Sequence, residues 1–179
     1  MKFATTFCCI LVLSFSTSAQ DSNWYTLGGV SLYDEDVEAA VGSGVGFRLG
    51  IGNQFNETFG LETVLDFAPA VDPKAVAAFV NSDSYDIETT GNRYLSLLLT
   101  ASTSNNENVS WVGKIGFATY WAEFEGEFFD YGVSLKTEEK DQAAVISVGA
   151  RFNSFELSLT KVFGDAEALS FGGVYRYAF

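Results

Sequence analysis

Seven residues carry charge in stretches that otherwise alternate apolar with small or polar side chains: Arg48, Glu62, Asp66, Lys114, Arg151, Glu156 and Arg176. Carboxylates grouped with cations can exchange protons as acid and base, or line a path for ions. They can equally neutralise one another as a plug, because a charge taken out of water must be paired. Two absences narrow the chemistry. The chain has no histidine, the commonest acid–base group and the usual base for an activated serine. Its two cysteines, Cys8 and Cys9, lie in an N-terminal segment expected to be removed, so the mature chain is left without a thiol nucleophile or a cysteine metal site. No catalytic residue, metal ligand or cofactor is expected, and a salt-bridged plug is the favoured reading of the seven.

Those charges need elements to hold them. Lys2, an apolar run from Phe3 to Phe15 and the small residues Ser16-Thr17-Ser18-Ala19 read as a signal peptide, 1–19, cleaved before Gln20. Residues 20–179 are expected to form one domain. No later apolar run has the length of a membrane-spanning helix. The 17 Phe, 8 Tyr and 17 Gly against 2 Pro suit many short strands joined by turns. A formal net charge of -13 argues against nucleic acid as a partner.

The strands declare themselves by period two. Counting back from the end gives Phe179, Tyr177, Tyr175, Gly173, Phe171 and Leu169 on one face, with Ala178, Arg176, Val174, Gly172 and Ser170 on the other. Val45, Phe47, Leu49 and Ile51 alternate with glycines and Arg48. Six further stretches complete an even set of eight. They are Asn23–Tyr33, Thr58–Ala68, Arg93–Ser102, a run through Trp111 and Trp121, Ala143–Phe152, and Phe155–Phe163. Long polar connections are expected at Asp34–Ser43, at Pro69–Asn92 with a helical turn at Lys74–Phe79, and at Glu123–Gln142. Short ones fall near Phe55, at Thr103–Asn108 and at Asn153-Ser154.

This alternation of long and short connections is the pattern of an all-β, eight-stranded, antiparallel up-and-down transmembrane β-barrel with short periplasmic turns. A soluble lipocalin-type barrel is the rival. It would turn the phenylalanines, tyrosines and tryptophans into an interior too narrow for them. Charges share the glycine and serine face, so the apolar face turns to lipid. Lys161 is an exception, close enough to the rim to snorkel. Aromatics sort into two interfacial girdles: Trp24, Phe59, Trp111, Phe152, Phe155 and Phe179 at the periplasmic side, and Phe67, Trp121 and Phe163 at the opposite rim.

Turn positions predict pairings. A two-residue turn at Asn153-Ser154 sets Phe152 opposite Phe155 and Arg151 opposite Glu156. A hairpin pivoting on Phe55 sets Arg48 opposite Glu62. Between Trp121 and Ala143 a projecting hairpin is expected, turning at Asp130-Tyr131-Gly132-Val133. It would place Glu123 opposite Lys140, Glu127 opposite Lys136 and Glu125 opposite Glu138. The acidic residues from Asp34, Glu35 and Asp36 onward are assigned to solvated outward loops. Divalent bridging to lipopolysaccharide is the less favoured role for them.

NWYTLGGVSLY at Asn23–Tyr33 resembles the opening strand of the OmpA transmembrane domain. GVGFRLGIGNQFNETFGLETVLDF at Gly44–Phe67 resembles the second hairpin of OmpA/OmpX-like eight-stranded porin-family barrels. The terminal GGVYRYAF, with Tyr175, Tyr177 and Phe179, resembles the aromatic-ended signal read by the barrel-assembly machinery. The resemblance implies a monomeric protein integral to the Gram-negative outer membrane, in contact with lipid and lipopolysaccharide. Its expected role is structural, or surface interaction through the acidic loops with some surface ligand. A small porin is the alternative. A lipid-modifying enzyme is a weak third without histidine, so no enzyme is expected.

Overall fold

The computed structural model describes residues 23–37, 40–69, 72–73, 85–103, 109–128, 133–164 and 166–179. The expected signal peptide and the helical turn at Lys74–Phe79 lie outside the described residues. Eight long strands form the wall: β1 (Trp24–Val37), β2 (Ala40–Gln54), β3 (Phe59–Phe67), β4 (Tyr85–Ser102), β5 (Val109–Phe128), β6 (Val133–Phe152), β7 (Phe155–Phe163) and β8 (Ala166–Ala178). Each pairs antiparallel with its sequence neighbours, and β8 pairs back onto β1 from Tyr25↔Ala178 to Val37↔Ala166, closing the barrel. Asp72–Pro73 adds a two-residue pairing to Val41 and Ala40 at the outer end of β2.

Alternation along each strand sorts side chains by the reverse of a soluble protein's rule. Phe117 on the outer face is 74% exposed, while Glu62 and Glu156 inside are 0% exposed. Such an inversion suits a hydrocarbon solvent, and closure of β8 onto β1 leaves the wall no free edge in the lipid. Small residues make the narrow interior possible. Tyr25 and Tyr33 of β1 lie against Gly52 and Gly46 of β2, where an added Cβ would come within 2.3 and 2.6 Å of the rings. The β6–β7 connection is the tight turn Asn153-Ser154, with Asn153 at φ 55°, a left-handed conformation that asparagine tolerates. It leaves Phe152 opposite Phe155 and Arg151 opposite Glu156.

Three expectations need correction. The first concerns strand length. β1 runs on to Val37, β4 starts at Tyr85, and β5 and β6 reach Phe128 and Val133. Much of the three expected loops is therefore strand. Beyond the lipid nothing demands an apolar face, so these extensions lack the period-two signal.

The second concerns the β2–β3 hairpin. Arg48 stands opposite Asp66, and Glu62 opposite Gly52. The turn centres on Glu57 rather than Phe55, because Asn56 Oδ1 accepts the N–H groups of Thr58 (2.9 Å) and Phe59 (2.8 Å). The slip is an even number of residues, so every side chain keeps its face.

The third concerns the projecting hairpin, which forms in a register two residues away from the expected one. Trp121 faces Lys140, Glu123 faces Glu138, Glu125 faces Lys136 and Glu127 faces Ser134. Lower in the same ladder Ile115 faces Ile146 and Lys114 faces Ser147. The difference is again an even number of residues, so every side chain keeps its face and the facing pattern is the same in both registers.

Candidate functional site

The interior holds the only concentration of buried charge among the described residues, and three strands share its centre. Lys114 of β5 extends its long side chain between β3 and β7. Its Nζ lies 2.6 Å from Glu62 Oε2 and 2.6 Å from Glu156 Oε1. Arg151 donates to Glu156 Oε2 from Nη2 (2.9 Å) and Nε (3.2 Å). Tyr25 donates its hydroxyl to Glu62 Oε1 at 2.8 Å. The guanidinium carbon of Arg176 sits 3.6 Å over the Tyr25 ring, a cation–π contact. These six residues form one continuous cluster in the periplasmic half.

Further along the axis Arg48 Nε and the Tyr33 hydroxyl both donate to Asp66 Oδ1, each at 2.6 Å. Nearer the outer end stands Glu35, 0% exposed. It accepts from the Tyr94 hydroxyl (2.6 Å) and Asn92 Nδ2 (3.0 Å). The Tyr94 ring packs 5.3 Å from that of Tyr120. Among the described residues no cation pairs with Glu35. The interior thus sets four cations (Arg48, Lys114, Arg151, Arg176) against four carboxylates (Glu35, Glu62, Asp66, Glu156). Its two members without an opposite charge beside them, Glu35 and Arg176, stand at opposite ends.

The open space left among Arg48, Glu62, Asp66, Tyr94 and Lys114 in the middle of the barrel is a cavity of about 20 Å³, room for roughly one water. Carboxylates clamped to cations in so small a space are positioned to hold strands together rather than to reach a substrate. All seven sequence-selected charges point inward, but Arg48 and Glu62 belong to separate groups. Glu35 was hidden by its setting, the acidic run Asp34-Glu35-Asp36. Parity is the signal that finds it: the inward series Tyr25, Leu27, Ser31, Tyr33 leads by twos to Glu35.

On the outer surface, Phe59, Trp111, Phe152, Phe155, Phe67 and Phe163 are all exposed to the surroundings, and Trp24 and Trp121 are half-buried. Lys140 Nζ lies 5.4 Å from the Trp121 ring centre. Tyr175, Tyr177 and Phe179 are exposed on the same side, and the Phe179 N–H donates to the Trp24 carbonyl at 3.2 Å. Lys161 forms an ion pair with Glu167.

No family model matches the chain, and none of the curated proteins does. Solved structures do resemble it. Neisserial surface protein A matches with a TM-score of 0.58 at 8% identity, covering 89% of this chain and 99% of that one. The N-terminal β-barrel domain of Pseudomonas aeruginosa OprF matches with a TM-score of 0.54 at 11% identity, covering 88% and 100%. Ail, the attachment invasion locus protein of Yersinia pestis, solved with the heparin analogue sucrose octasulfate, matches with a TM-score of 0.51 at 16% identity, covering 88% and 100%. At these identities the likeness is one of fold. Together with the inverted burial, it makes this chain an integral, eight-stranded β-barrel of the bacterial outer-membrane type.

Proposed function

We propose that this barrel works from its outward end, as a structural or surface-interaction protein, and that it neither conducts solutes nor catalyses a reaction. The filled interior is the observation that carries the reading: an open volume of about 20 Å³ offers no path to a hydrated ion. What remains available is the part of β4, β5 and β6 that rises above the rest. β3 pairs with β4 only as far as Arg93, and β7 pairs with β6 only as far as Ala144. Above those points Tyr85–Thr90 of β4 and the start of β6 each have a partner on one side only, among the described residues. Unpaired strand edges accept further strands.

Charge narrows the partner. Ail was crystallised with a polyanion, but a chain with a formal net charge of -13 favours a cationic surface ligand. The aromatic end Tyr175, Tyr177 and Phe179 is read as the signal for the assembly machinery, and lipid and lipopolysaccharide as the lateral contacts of a monomer.

Titrating the nanodisc-embedded protein with a basic peptide and with sucrose octasulfate tests the surface reading. Saturable binding to the basic peptide, weakened by salt, is expected. Binding to the polyanion alone would overturn the charge argument.

A further inference from the structure

The periplasmic mouth holds a feature that the outward-end reading does not use. Inward positions of β1, β2 and β8, with the β6–β7 turn, enclose an open basin of about 290 Å³. Its walls include the side-chain amides of Asn23, Gln54 and Asn153 and the hydroxyl of Ser154. Among the described residues no carboxylate lines it, and Arg176 is its one charged group.

Arg176 is unlike the other interior cations. Arg48, Lys114 and Arg151 each meet a carboxylate. Arg176 meets none among the described residues, and its buried Nε has no hydrogen-bond partner. Its guanidinium stacks on the Tyr25 ring and reaches the Tyr25 hydroxyl, and Tyr25 is itself fixed by its hydrogen bond to Glu62. Stacking occupies a face of the guanidinium and leaves Nε–H at its edge without a partner, in the plane where a guanidinium meets the oxygens of an oxyanion. A cation held in place beforehand loses little freedom on binding. The Asn153 amide and the Ser154 hydroxyl beside it can donate hydrogen bonds as well, and Gln54 Nε2, which gives one N–H to the Asn56 carbonyl (2.9 Å), has a second.

We propose that this basin binds an oxyanion of the phosphate class, with Arg176 as the charged anchor and the Asn153, Gln54 and Ser154 side chains as its neutral donors. Two sources share that chemistry. Trp24, beside the basin, belongs to the aromatic set at this end of the barrel, the depth of lipid headgroups, so a phospholipid phosphate is one. A soluble phosphate ester of the periplasm is the other.

The test uses the whole barrel, isotopically labelled and refolded in maltoside micelles, which contain no phosphate. Sodium phosphate is titrated at constant ionic strength while the Arg176 Nε–H, the Trp24 indole and the Asn153 and Gln54 side-chain amides are followed by NMR. Saturable shifts at these groups, absent with chloride, are expected. Affinity should fall at least tenfold in Arg176→Gln, with heat-modifiable gel mobility confirming that the variant is assembled. Should that variant fail to assemble, Gln54→Ala serves instead, with binding weakened several-fold. In phosphatidylglycerol nanodiscs, shifts already present without added phosphate identify the lipid headgroup. Shifts that still require free phosphate identify a soluble ester. Equal, non-saturating drift with phosphate and chloride in both settings overturns the proposal.

Discussion

The two ends of the barrel bury charge by different means. In the periplasmic half, Lys114 joins Glu62 of β3 to Glu156 of β7, and Arg151 completes the group. Toward the outer end, Glu35 is held by neutral donors alone among the described residues, Tyr94 and Asn92. The first arrangement ties alternate strands through a shared cation, so its members fail together. The second is a pair of hydrogen bonds, and its loss is local. The periplasmic half is therefore tied across three strands through one shared cation, whereas toward the outer end Arg48–Asp66 joins only neighbouring strands and Glu35 meets no cation among the described residues.

Removing the shared cation should expose that difference most strongly. Lys114→Met leaves Glu62, 0% exposed, without a cation and Glu156 with Arg151 alone, which is worth about 3–5 kcal/mol for a buried pair broken on one side. A large drop in the urea midpoint of the refolded barrel is expected, partly restored when Glu62→Gln is added. A double-mutant cycle with near-zero coupling would break the comparison.

Glu35→Ala comes next. It leaves the Tyr94 hydroxyl and Asn92 Nδ2 without their acceptor, a loss of about 1–3 kcal/mol. The same urea titration should give a smaller shift than for Lys114→Met. A loss as large as that one would mean that the outer end is cross-linked too.

The smallest expected effect lies in the projecting hairpin. Glu123 faces Glu138 across the ladder, and like charges directly opposite are unfavourable. Glu138→Lys should stabilise the hairpin by about 0.2–1 kcal/mol, seen as slower amide exchange at Phe124 and Thr137. Faster exchange there would contradict the register.

How much of this was legible from sequence follows the same division. Within the membrane, lipid outside and a narrow interior inside impose period two on every strand. The facing of Arg48, Glu62, Lys114, Glu156 and Arg176 could therefore be read by counting. Asn153-Ser154 is a turn whose chemistry fixes its register, so the Arg151–Glu156 opposition was also readable. The β2–β3 register was not, because the Asn56 side chain caps a longer turn and an even slip leaves no trace in the pattern of faces. The meeting of Lys114 with both Glu62 and Glu156 depends on a long side chain reaching across the interior between non-neighbouring strands, which no local pattern encodes. Glu35 was missed where the membrane constraint ends. Above that level polar residues occupy both faces, and a buried carboxylate looks like its solvated neighbours Asp34 and Asp36.

The central claim, that the interior is closed and the outward end does the work, is tested most directly by current through the purified barrel in a planar bilayer. A closed interior gives a flat baseline at both polarities, with no steady discrete openings. Reproducible steps of uniform conductance, altered in size by Lys114→Met, would contradict it.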